Sequence, residues 1–248
     1  MSKKFGDIFS AAVDMFKENF SVFVSIGFLT YFIPQFLSFL STEYKWNMGI
    51  DFFVTVLLFV TTSFFLIFII KTLDGKTKDV KKESWKILPR FVLFELVITI
   101  FLMGLSLLLI VPGIIFSIFW IFASIIFILN ENGEIKKSLG QSHNCVKGKW
   151  WRIFGMQILF YLIIILFGMF IFVLIYLIPS VVVVGVLTTL FAMIFYILSA
   201  CFIYSMYKEF CKYEEPKKIK VEQTKKVKVD VVNKKTVKKA KIIKSKKN

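Results

Sequence analysis

Residues 107–119 read LLLIVPGIIFSIF, an apolar run with no charge, broken once by a Pro-Gly pair. The run sits inside 91–129, a stretch of 39 mostly apolar residues. As one straight helix this stretch would be about 58 Å long at ~1.5 Å per residue. The hydrocarbon core of a bilayer is only about 30 Å thick, so the stretch is too long for one crossing. Proline removes a backbone donor and clashes with the preceding turn. The expected structure is therefore two spans, 91–110 and 114–129, folded back at Pro112-Gly113. The same logic applies to 153–207, about 82 Å as a straight helix. There Pro179-Ser180 is the expected break between spans 153–178 and 181–207. Two further runs, 20–40 and 52–70, bring the count to six.

Composition agrees. The chain is 57% hydrophobic and holds 31 Phe, against roughly 45–50% apolar residues in soluble domains. The net charge of +16 lies almost wholly outside the apolar runs. Of 32 basic residues, 31 fall in alternate segments: residues 1–19, 71–90 and 130–152, and the part that starts at Lys208. The positive-inside rule then places both termini and both long loops in the cytoplasm of a multi-pass cell-membrane protein. A hairpin that re-entered without crossing would preserve the same parity. The basic start is followed by Asp7 and Asp14 rather than an uninterrupted apolar core, so the first span reads as a retained anchor. Cys145, Cys201 and Cys211 are sparse and odd in number and read as reduced thiols.

A pattern repeats along the chain. Phe5, Ile8, Phe9, Ala12, Met15 and Phe16 form a helical stripe, as do Ile135, Leu139, Val146 and Trp150. A weaker stripe runs through Val80, Trp85 and Leu88. Amphipathic helices of this kind, about 5–18, 78–88 and 131–149, are expected in the membrane interface with the apolar side down. Each leads through an aromatic-basic junction (FKENF at 16–20, WKILPRF at 85–91, KGKWWRIF at 147–154) into an odd-numbered span. The predicted fold is an all-α polytopic bundle: three hairpins over 1–213, each preceded by an interfacial helix, then a disordered Lys-rich cytoplasmic tail over 214–248. True repeats and simple convergence of an alternating topology both account for the pattern.

Residues 110–155 carry a motif: Pro112-Gly113, an aromatic span, Glu131 with Gly133, Ser142 in a short helix, then Lys147-Gly148 with Trp151 and Arg152. This order resembles the membrane domain of glycerophosphoryl diester phosphodiesterase and related multi-span membrane proteins. The Glu-to-Gly spacing is two here where the family has three, which would put Asn130 at the Glu position. The resemblance implies the six-span layout and marks Pro112, Gly113, Gly133, Ser142, Lys147, Gly148, Trp151 and Arg152 as a lipid or partner interface. It does not imply hydrolysis, which in the fused enzymes belongs to a separate soluble barrel. The 41 residues from Lys208 onward are too few to encode one.

Chemistry-bearing residues are scarce. His143 and Cys145 do not make a four-ligand metal set, and no Gly-rich phosphate loop is present. No cofactor, metal or catalytic residue is predicted, and the chain reads as a non-enzymatic module. Glu95 is the one strong candidate for a buried polar site. Its alternatives are a boundary carboxylate reaching back to Arg90 and a site inside the bundle. Gln35 and Gln157 are expected to bond between helices, and Gly104, Gly155, Gly168 and Gly185 to permit close packing. The tail favours anionic lipid or plain solvation over RNA, because no aromatic follows Tyr213 to stack bases. Three functions stay open: a module that binds membrane lipid or organises a membrane-protein partner, a transporter or lipid translocase using Glu95, and a membrane enzyme on lipid headgroups. The last requires Glu95, Glu131 and Glu134 to converge.

Overall fold

The computed structural model describes residues 4–75, 79–108, 110–130, 134–176 and 178–211. Its helices are α1 (Phe5–Glu18), α2 (Phe20–Gly27), α3 (Ile33–Glu43), α4 (Met48–Asp74), α5 (Val80–Leu108), α6 (Ile110–Phe119), α7 (Ala123–Leu129), α8 (Ile135–Val146), α9 (Trp150–Tyr176) and α10 (Val181–Phe210). Among the described residues, six helical segments are long and apolar enough to cross a membrane. They are Phe20–Glu43, Met48–Asp74, Val80–Leu107, Ile110–Leu129, Trp150–Val173 and Val181–Phe210. The protein is an all-α, multi-pass membrane protein. Helix is the expected solution, since hydrocarbon offers backbone groups no partner but the chain itself. The hydroxyls inside the spans obey the same rule: Thr61, Thr62 and Ser63 donate to the carbonyls of Leu57, Leu58 and Phe59.

Each pair of spans forms an antiparallel hairpin. In the second, Phe101 meets Phe116 and Trp120 while Phe94 stacks on Phe127 with ring centroids 4.3 Å apart. In the third, Phe160 stacks on Phe202 at 4.1 Å and Phe167 meets Phe191 and Phe195. In the first, Gly27 lies against Phe65. The turn of the first hairpin is held by Asn47, whose side chain accepts from Gly49 N–H at 2.9 Å, and by the Ser41–Asp51 hydrogen bond. The first span is not one uniform helix. Pro34 has no N–H to offer the carbonyl of Thr30, and the chain widens into a π-helical turn, Phe28–Phe32, just before it.

Four expectations need correction. The second fold-back is not at Pro112-Gly113. Helix α6 already begins at Ile110, so Pro112 sits in its first turn, where a missing N–H costs nothing. Gly113 serves packing, because a Cβ there would stand 3.1 Å from the Cα of Ser106 on α5. The expected helix 78–88 is not separate either. Helix α5 runs unbroken through Pro89, as membrane helices tolerate where the freed carbonyl is re-satisfied. Of the four glycines expected to allow close packing, Gly104, Gly155 and Gly168 meet no atom within 4 Å of an added Cβ. Gly185, against the Phe39 ring, does allow it, and Gly27 joins it. Finally, Cys145 and Cys211 are bonded to each other, with Cα atoms 5.0 Å apart, and only Cys201 is free among the three. Docking of α8 on the end of α10 brings together thiols 66 residues apart.

The amphipathic segments turn their apolar sides toward protein. On α1, Ile8 and Ala12 are fully buried, Phe5 and Phe9 meet Phe202 and Phe160, and the Ile8 carbonyl accepts from Ser205 at 3.1 Å. The start of α5 lies along the end of α4, with Trp85 on Phe64 at 5.0 Å and Lys71–Glu83 at 3.2 Å. Helix α8 packs on α6 and α7. Tyr204 on α10 reaches Asp74 at the end of α4 (3.4 Å), and Phe122 meets Tyr207. The end of α4, the start of α5, α1, the α8–α9 turn and the end of α10 therefore form one connected end of the bundle.

Candidate functional site

The motif residues build the junction between α7, α8 and α9. Residues 120–122 interrupt the fourth span as a turn, which leaves main-chain groups short of helical partners. Ser142, fully buried on α8, supplies them. Its hydroxyl donates to the Phe119 carbonyl at 2.8 Å and accepts from Phe122 N–H at 3.2 Å. His143 beside it stacks on Phe119 with centroids 4.3 Å apart. The chain then turns sharply. Lys149 N–H donates to the Val146 carbonyl at 2.9 Å, Lys147 has φ −54° and ψ 126°, and Gly148 has φ +79°. This is a type II turn, whose third position calls for glycine. Lys149 caps α10 through Nζ to the Phe210 carbonyl at 3.0 Å, and the Arg152 guanidinium lies 5.1 Å from the centre of the Phe210 ring. Lys147 and Trp151 are exposed. Pro112 and Gly113 lie elsewhere, in the first turn of α6. Gly133 and Glu131 are outside the described residues, as is the 214–248 tail.

Glu95 is placed inside the bundle. Its Oε1 accepts from Ser124 Oγ on α7 at 2.6 Å rather than pairing with Arg90. Tyr196 stacks near Tyr31 with centroids 4.9 Å apart and donates to the Thr62 carbonyl at 3.3 Å. The Glu95–Ser124 bond lies within the second hairpin, while Tyr31, Thr62 and Tyr196 join the first hairpin to the third. Among the described residues, no three His, Cys, Asp or Glu side chains gather in a way suited to a metal.

No protein-family model, curated protein or solved structure matches this chain.

Sequence reasoning marked Ser142, Lys147, Gly148 and Glu95 but missed their partners. Ser124, Tyr31, Tyr196 and Thr62 are ordinary residues inside apolar runs, and only the packing of three hairpins selects them. The buried face of α8 was missed for the opposite reason. It consists of Ser138, Ser142 and Val146, so a search for apolar periodicity passes over two of its three members. Gln157 also departs from expectation. It is 8% exposed and its Oε1 has no hydrogen-bond partner, so the expected bond between helices is not made.

Proposed function

We propose that this protein is a non-enzymatic membrane module that binds lipid, with a preference for anionic headgroups, and presents its basic end to the cytoplasm of the cell membrane. One observation carries the reading. The amphipathic segments and the aromatic-basic junctions converge on one end of the bundle, where Trp151 is 78% exposed beside the exposed Lys147. Trp and Lys at that position suit a headgroup region, and each Lys or Arg near an anionic surface contributes about 1 kcal/mol. The resemblance of 110–155 to the phosphodiesterase membrane domain belongs to the same proposal. The turn made by Lys147-Gly148 and the bridge made by Ser142 support it as structural reasons for the motif. A membrane-protein partner seated on the same end is compatible with it.

Purified protein should carry phosphatidylglycerol or another anionic lipid in preference to phosphatidylcholine when examined by native mass spectrometry. Deleting 214–248 should weaken that selectivity. Equal retention of neutral and anionic lipid would refute the reading.

A second reading is favoured by the Glu95–Ser124 bond. A carboxyl bonded to Ser124 inside six spans is the kind of group that couples an ion or solute. On that reading, Glu95→Gln abolishes a flux that wild-type protein supports in proteoliposomes. An unchanged flux in the variant, or none with wild type, removes it.

A further inference from the structure

We infer that the seam between the second and third hairpins is a lateral groove for one anionic glycerophospholipid. The inference rests on the lipid-binding reading above and names its site. The seams made by the first hairpin are closed. Gly185 against Phe39 and Tyr31 against Tyr196 close it to α10, and Trp85 on Phe64 closes it to α5. Between α6 and α9 the helices leave an open cleft of about 370 Å³, lined by Ile114, Ile118, Phe154, Ile158, Leu162 and Ile165. That volume falls within the roughly 300–1,000 Å³ of small-molecule clefts. The α9 wall, 154–165, is about 17 Å long at ~1.5 Å per residue, comparable to one leaflet of a ~30 Å core.

The wall is not wholly apolar. Gln157 lines it, more than nine-tenths buried, and its Oε1 is unpartnered. Water is not available to that atom in a bilayer, so the group calls for a ligand with a polar part at this point. By turning about its last torsion, the same amide donates to an ester carbonyl or accepts from a hydroxyl. A glycerophospholipid carries ester carbonyls directly above its acyl chains, and these accept from the amide once Nε2 faces the groove. The α9 end of the groove supplies the rest. Trp150 spans the seam there, its Nε1–H donating to the Ile115 carbonyl at 3.4 Å. Exposed Lys147 and the exposed Trp151 ring flank it, which sets the headgroup as anionic. Ester carbonyls at Gln157, an acyl chain along 158–165 and a headgroup directed toward Lys147 match the order of these residues along α9.

The test uses full-length protein in vesicles that contain phosphatidylglycerol with a mid-chain diazirine, or the matching phosphatidylcholine probe. After irradiation, adducts are mapped by peptide mass spectrometry. Adducts should concentrate on 114–118 and 154–165 with the anionic probe. Gln157→Leu should reduce them about fivefold, the worth of one hydrogen bond, without lowering thermal stability in detergent. Ile158→Trp should fill the cleft and abolish them. Retention of anionic lipid with adducts spread evenly over the six spans would overturn the groove while leaving the broader reading intact. Equal labelling by both probes at 154–165 would show ordinary surrounding lipid and overturn it too. Failure to retain anionic lipid at all would remove both.

Discussion

Replacing Ser142 with Ala should lower the stability of the purified protein by about 2–4 kcal/mol, because each buried main-chain group left without a partner costs about 1–3 kcal/mol. Two such groups depend on this hydroxyl: the carbonyl of Phe119 and the N–H of Phe122, on either side of the break between α6 and α7. No water can replace it, since Phe122 is fully buried. Ser138 provides the control. It lies one turn earlier on the same helix, is equally buried, and its Oγ has no partner. Ser138→Ala should therefore be neutral or slightly stabilising. Thermal unfolding of both variants in one detergent, followed by fluorescence of the free Cys201 thiol with a maleimide dye, decides the matter. Similar melting temperatures for the two variants would mean that the hydroxyl bridge does not hold the fourth span.

Gly27→Val should have the next largest effect. A Cβ at Gly27 would lie 2.6 Å from Phe65 Cζ and 3.1 Å from Met193 Sδ. Phe65 is fully buried and Met193 nearly so, so neither can yield without disturbing the first hairpin or α10. Overpacking of this kind costs about 1–3 kcal/mol in soluble cores. In a bilayer the loss should be felt in full, because lipid tails are as apolar as the side chains and helix association depends on close contact. Gly168→Ala offers the contrast. Nothing lies within 4 Å of its added Cβ, and alanine is the better helix former by about 1 kcal/mol. The first variant should lose its monodisperse peak on size-exclusion chromatography at a temperature the second survives. Equal behaviour would show that α2 does not pack on α4 as described.

Much of this architecture is legible before any coordinates. Four apolar runs, two of them too long for one crossing, dictate helices and hairpins, because a bilayer admits few other backbones. Gly148 stands out in the motif only as part of an expected lipid or partner interface, and the structure gives it the turn between α8 and α9. The failures share a cause. Proline breaks helices in general and so marks Pro112 as a break, yet Pro112 lies in the first turn of α6, where it disrupts nothing. The stripes of α1 and α8 point to lipid when taken alone. An apolar stripe does not say what covers it, and here α9, α10 and the kinked fourth span do.

By itself the sequence determined the class of structure, the number of spans and their alternating charge, since these depend only on how each segment partitions between water and hydrocarbon. Tertiary structure alone decided which polar atoms meet: Glu95 with Ser124, Ser142 with the broken span, Cys145 with Cys211, and Gln157 with nothing. Partitioning is a property of each segment taken singly. Pairing depends on where three hairpins come to rest against one another, and inside a membrane that is settled by the fit of glycines, aromatic rings and a few hydroxyls.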